Sequence, residues 1–184
     1  MSLSLAGNGT VTGFDAGASG FGGLVAVKHV LKTDTQVESS VAGGANFAVT
    51  DLSITHTLAD AANKLIISAY LGAIGTSEDN NGVGISVADD GTLIGVGNAS
   101  GSRVSVGAGG YTTTGGTNDG FVVGFPSVTF VYEPGDTASH TYTVRAHNVS
   151  NASKDIYINR NPTNANDANN ALAASGFVIQ EVAV

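Results

Sequence analysis

Four histidines and fifteen carboxylates are the residues of this 184-residue chain able to move a proton or hold a metal, and there is no cysteine to supply a thiolate. His29, His56, His140 and His147 show neither the H-x-H nor the H-x-x-x-H spacing that brings two imidazoles to one ion. His140 and His147 are seven apart in one apolar-polar stretch, which places them on opposite faces of a strand. Ser77-Glu78-Asp79-Asn80-Asn81-Gly82 has the look of a calcium loop, but Ser77 stands where the first carboxylate belongs and Ala88 cannot close the site bidentately. Gly95-Val96-Gly97-Asn98-Ala99-Ser100 starts like a dinucleotide-binding turn, yet lacks the third glycine and a following helix. A glycosidase needs two carboxylates on facing strands, and the pattern places only Glu181 in mid-strand. Tryptophan is absent, which leaves no large flat platform for a sugar. These residues predict a protein that is not an enzyme and needs no cofactor or metal.

The elements that would carry such residues are strands. Glycine is abundant at 26 residues and proline scarce at 3, the composition of many short strands joined by tight turns. Only 12% of residues are charged, with a net charge of −8. The surface is therefore built from Ser, Thr, Asn and Gly. The seven cations, Lys28, Lys32, Lys64, Arg103, Arg145, Lys154 and Arg160, are scattered, which argues against nucleic-acid binding. No run approaches the roughly 20 apolar residues of a membrane span and no leader pattern opens the chain, so the expectation is a soluble protein made in the cytoplasm. The sequons at Asn8, Asn98, Asn148 and Asn151 are read as accidents of composition.

Residues 1–23 are a glycine-rich arm with little to bury, and the text changes at Leu24 to β-branched runs of strand length. Strands are predicted over 24–31, 46–50, 52–57, 64–71, 83–88, 92–96, 127–132, 139–147, 155–159 and 176–184, with a further short one near 103–106. The unbroken apolar run 64–71 is expected to be the most buried. Asp89-Asp90-Gly91 between two alternating stretches predicts a tight hairpin. A single helical turn over 58–63 and a short helix over 166–174 are the only helical expectations. The fold class is all-β: an antiparallel β-sandwich or jelly roll of about nine or ten strands, occupying 24–184.

Several stretches in order resemble the small jelly-roll virion proteins of tailed, especially marine, bacteriophages. They are Leu52-Ser53-Ile54-Thr55, Asn63-Lys64-Leu65-Ile66-Ile67, Asp90-Gly91-Thr92, Pro134-Gly135-Asp136-Thr137, Thr141-Tyr142-Thr143-Val144, Tyr157-Ile158-Asn159-Arg160 and 175–182. Related sequences often carry Arg where this chain has Asp89, and end in Glu-Ile where it has Glu181-Val182. The resemblance implies a homotrimer similar in architecture to tumour-necrosis-factor and complement-C1q domains, located on the virion surface. Its implied partners are the major capsid protein or another virion protein, and a host surface glycan. Three roles fit: capsid decoration or cement protein, tail- or head-fibre tip, and a free carbohydrate-binding or glycan-active jelly roll. The short arm, with no shaft of repeats, favours decoration. The assembly residues expected are Val11 and Phe14 in the arm, adding to a neighbouring sheet edge, and Phe177, Ile179 and Glu181 in the last strand.

Overall fold

The computed structural model describes residues 4–5, 11–12, 23–76, 81–98, 100–112, 123–162 and 172–184. These contain fifteen strands and no helix. In chain order they are β1 (Ser4–Leu5), β2 (Val11–Thr12), β3 (Leu24–Lys32), β4 (Gln36–Val41), β5 (Asn46–Thr57), β6 (Lys64–Tyr70), β7 (Ile74–Thr76) and β8 (Asn81–Asp89). There follow β9 (Thr92–Ile94), β10 (Ala108–Thr112), β11 (Val123–Gly124), β12 (Ser127–Tyr132), β13 (Ser139–Val149), β14 (Lys154–Ile158) and β15 (Ser175–Val182).

The order of strands defines a jelly roll. One layer runs β3-β15-β6-β12 and the other β5-β13-β8-β10, with every pair antiparallel. A third, smaller sheet runs β4-β14-β7-β11. Its members are the links between the layers: β4 joins β3 to β5, β14 joins β13 to β15, β7 joins β6 to β8, and β11 joins β10 to β12. The same order is therefore kept through all three sheets, as in a four-ribbon antiparallel sheet bent over twice. These links are why there are more strands than the nine or ten expected: β4, β7, β10 and β11 are short or glycine-broken, with too few residues to show a period.

The core lies where the inner faces of the two main layers meet. Leu65, Ile67 and Ala69 of β6 and Phe177 and Ile179 of β15 pack in one cluster with Leu52 and Ile54 of β5, Ile85 and Val87 of β8, and Tyr142 and Val144 of β13. Two expected strands, 46–50 and 52–57, are one strand, β5, with an irregularity at Asp51 (φ 63°) where the register against β13 shifts. The Asp90-Gly91 hairpin forms with both residues at positive φ, 45° and 89°, the geometry that matches strand twist.

Other expectations are corrected. Residues 58–63 make turns in place of a helical turn, closed by Asn63 N–H on the Asp60 carbonyl. The helix expected over 166–174 falls mostly outside the described residues, and 172–174 are irregular. No strand forms at 103–106; the pairing strand is β10, further on. The most buried strand is β8, all nine residues of it, while β6 alternates between buried and half-buried. The reason is cover. Among the described residues nothing lies over the outer face of β6, whereas the chain between β9 and β10 folds back over β8. Gly95 (φ 61°) turns the chain away, and it returns through Gly107 N–H to the Ile85 carbonyl at 2.9 Å.

Candidate functional site

Chemistry-bearing side chains collect at three places, each built on β13 or its neighbour β5. His140 on β13 lies among three carboxylates supplied by two turns. Its Nδ1 is 2.9 Å from Asp89 Oδ1 and 3.4 Å from Asp90 Oδ2, and its Nε2 is 3.0 Å from Asp136 Oδ1. Carboxylates only accept, so the surroundings favour the ring form that donates from both nitrogens. The bond to Asp136 is the main reason its pKa lies above the ordinary histidine value; burial opposes this and Asp89 adds to it. The same bond holds the Asp136 carboxyl below its usual range. Tyr132 donates to Asp89 Oδ2 at 2.8 Å, and burial, then that bond, pushes its phenol up to about 12. Tyr142 stacks beside His140 and supplies an apolar wall.

Asp89, Asp90 and His140 present ligand atoms within 4.8 Å of one another and could hold a cation. A cation would have to compete at Nδ1 with a proton that Asp89 and Asp136 favour. The arrangement is therefore three carboxylates gathered on one imidazole, a setting that favours the charged ring. It has a pH signature. A histidine whose pKa is raised on folding contributes stability that is present below its unfolded value near 6.5 and is lost as pH rises through the folded value. Denaturation of the wild type and of His140→Gln across pH 5–9 should show the two curves converging on the alkaline side. Parallel curves would mean that the imidazolium contributes nothing.

The second place is inside the sandwich. Glu181 on β15, expected as an assembly residue, is 1% exposed and points into the core. His56 Nε2 donates to Glu181 Oε2 at 2.8 Å, while Ala59 N–H at 2.8 Å and Asn63 Nδ2 at 2.6 Å donate to Oε1. Burial raises the pKa of this carboxyl, but the bonds from Asn63, Ala59 and His56 outweigh it and hold the group below its ordinary value. Phe177 and Ile179 are likewise core residues at 0% and 1% exposure. All three are spent within the protomer, and only the other side of β15 (Val178, Gln180) faces outward. Val11 lies in β2, whose side chains, like Phe14, are outside the described residues.

The third place is on the outer face of β13 and β8. Ser86 Oγ and His147 Nε2 are 2.6 Å apart, and His147 Nδ1 is buried without a hydrogen-bond partner. Burial, reinforced by the Arg145 charge, pushes His147 down to about 4, so the ring is neutral at pH 7. Serine beside imidazole is the pairing of a nucleophile and its base. Here Ser86 is sealed from solvent and no carboxylate orients Nδ1, so the pair has neither the access nor the third group of an acyl-transfer site.

The sequence reading separated His140 and His147 correctly to opposite faces, but found none of these partners. Apart from the His140–Asp136 contact, these partnerships join residues far apart in the chain. His56 and His140, 84 positions apart in number, stand opposite one another in the register of β5 and β13. Glu38, Asp51 and Asp155 prove to be mid-strand carboxylates besides Glu181. Lys32, one of the scattered cations, is buried, its Nζ held by Asp34 Oδ1 and Thr50 Oγ1 at 2.8 Å each. Asn148 of a sequon is fully buried, its amide donating to the Val41 and Ala152 carbonyls. Residues 77–80 of the calcium-like loop lie outside the described residues. No helix among the described residues is long and apolar enough to cross a membrane.

No protein family matches the chain, and no curated protein does. Among solved structures it is weakly similar to a chain in the structure of the infectious bursal disease virus Gx strain, at 15% identity and a TM-score of 0.42 over 86% of this chain and 37% of that one. It is also similar to a chain of the infectious bursal disease virus VP2 subviral particle, at 12% identity and a TM-score of 0.37 over 86% of this chain and 42% of that one. The chain thus spans about two fifths of the length of either.

Proposed function

We propose that this chain is a non-enzymatic phage virion protein that assembles as a homotrimer on the particle surface, in the role of a capsid decoration or cement protein. The observation that carries the reading is the outer face of the β3-β15-β6-β12 layer. In register across it stand Val27, Gln180, Ile66 and Val131, then Leu31, Gly176, Tyr70 and Ser127. Leu31 is 57% exposed, Val27 49%, Tyr70 44% and Val131 61%. The row between them is mixed, with His29 and Val178 beside Ser68 and Thr129, whose hydroxyls pair at 3.0 Å. The other layer turns hydroxyls outward in successive rows: Ser53 meets Thr143, and Thr55 meets Thr141, in cross-strand hydrogen bonds at 3.0 and 3.2 Å. A sandwich with one wet face and one largely apolar face has a side made to be covered, because such patches are costly to leave in water. The occupant proposed is a second and third copy of this chain, the number being what the resemblance implies. The β3 edge, which has no further strand beside it among the described residues, adds backbone groups on which a neighbouring arm can lie.

The test begins with Val27→Asp combined with Val131→Asp, both at exposed positions, with far-ultraviolet circular dichroism to check that the strands are kept. Light scattering at micromolar concentration should give three copies for the wild type and one for the variant. A monomeric wild type would end the proposal of a trimer. Mass spectrometry of purified virions should find the protein, and removal of residues 1–22 should leave the trimer intact but strip it from particles. Wild-type occupancy by the shortened protein would place the anchor on the β-domain instead.

A further inference from the structure

The chain between β9 and β10, residues 95–98 and 100–107 as described, does more than cover β8. It stands off the sheet far enough to leave a cleft of about 360 Å³ whose floor is Asn46 and His147 and whose wall includes Ser102, Arg103 and Ser105. A second cleft of about 410 Å³ shares Gly44, Ser102, Arg103 and Val104 with it and continues toward Ser150 and Asn151. The two form one groove, with Arg103 at its middle. Volumes of this order suit a small ligand.

The lining is organised for a particular chemistry. The protein carries a net charge of −8, yet no carboxylate of the described residues lines either cleft. The Arg103 guanidinium is exposed and makes no hydrogen bond or ion pair with a described residue. Arg145 Nε donates to Asn46 Oδ1 at 2.9 Å, which fixes the amide with its oxygen turned to Arg145 and leaves the NH₂ as a further donor at the floor. His147, 1% exposed, contributes the unpartnered Nδ1. That nitrogen is closed to solvent, so the ring forms part of the floor of the cleft and is not a partner for what enters it. Because the ring is neutral at pH 7, it adds no second charge there. Gly44 and Gly101 keep the groove open beside these groups.

We infer that this groove binds an acidic oligosaccharide, with Arg103 pairing with a sugar carboxylate while the Asn46 amide and the hydroxyls of Ser102 and Ser105 take ring hydroxyls above the His147 floor. A guanidinium fork matches a carboxylate in two parallel hydrogen bonds. Two joined clefts accept a chain of sugar units where a lone anion would fill only one. The inference stands on this groove alone and does not depend on the trimer or on a virion location.

The experiment titrates the full chain with trigalacturonate, neutral galactotriose and inorganic phosphate, following heat and the ring resonances of His147. Trigalacturonate should bind with a Kd on the order of 0.1–1 mM and move the His147 resonances; galactotriose should bind at least about tenfold more weakly, the loss expected for one charge-assisted contact. Arg103→Ala, at an exposed position, should weaken trigalacturonate by about tenfold or more, and Asn46→Ala should weaken it as well. Wild-type affinity in Arg103→Ala, or a trigalacturonate complex that leaves His147 unmoved, would overturn the site. Phosphate binding as tightly as trigalacturonate would overturn the saccharide and leave a simple anion site, and no binding by either at about 10 mM would overturn both.

Discussion

Glu181→Ala should destabilise the protein by about 3–5 kcal/mol, the cost of leaving three buried donors without their acceptor at about 1–3 kcal/mol each. The change strands His56 Nε2, Asn63 Nδ2 and the Ala59 N–H, three donors that now share one carboxylate. For a chain of this length that corresponds to a melting temperature lower by roughly 6–20 °C. Glu181→Gln, which keeps an oxygen for one donor, should lose less. The pH dependence has a defined sign. The Glu181 carboxyl is held below its ordinary value of 4.5, so its contribution is complete above that value and is lost as pH falls through the folded one. The acid-side decline in stability should therefore be shallower in Glu181→Ala than in the wild type. Urea denaturation of the three proteins at pH 3–7 measures both effects, and a loss under about 1 kcal/mol at pH 7 would show that the network is not a net support.

Gly84→Val should raise the pKa of His147. A Cβ at Gly84 would stand 2.8 Å from Val106 Cγ1 and 3.2 Å from the Ala108 carbonyl oxygen. A valine there must push the covering segment off β8, at a cost of about 1–3 kcal/mol for overpacking. Lifting it lets water reach His147, which is paired with Gly84 across β13 and β8. Since burial is the main cause of its pKa near 4, that value should climb toward 6.5. In the wild type a histidine with a depressed pKa subtracts stability as pH falls from 6.5 toward 4, by up to about 3 kcal/mol. The variant should recover part of that loss, so the two proteins should differ most near neutrality and least near pH 4. Titration of the imidazole resonances decides the matter. An unchanged His147 with the glycine replaced would mean that the cover stays in place and the strain is absorbed elsewhere.

The layers of the sandwich were legible because their strands are long enough to show a period. Ser53, Thr55 and Thr57 alternate with Leu52, Ile54 and His56, and the structure sorts these into outer and inner faces as the alternation requires. The hairpin at Asp90-Gly91 was legible because positive φ at both positions restricts the residues allowed. What was not legible depends on pairs of segments. No period can show in β7 or β11, three and two residues long, which become strands only because β14 and β7 lie beside them. The run 64–71 looked the most buried because every residue in it but Lys64 and Ser68 is apolar or aromatic. Burial depends on what lies opposite, and none of the described residues covers Ile66, Ser68 and Tyr70. The same logic misled at Glu181. An isolated carboxylate in an apolar strand faces solvent more often than core, and only His56 and Asn63, more than a hundred residues earlier, turn the inward orientation into the stable one.

The position of β15 between β3 and β6 sets the order in which the molecule can be completed. Gln180 and Val178 supply the middle of the apolar outer face, so Val27 and Ile66 become neighbours on a continuous surface only once this strand has been inserted. Until then the layer is split into a lone ribbon and a two-stranded remnant, and the bonds that would join them must close loops of more than a hundred residues, a slow step for any chain. During synthesis this outer face is thus the last part of the described fold to be built. A chain that lacks β15 has no continuous apolar face on this layer.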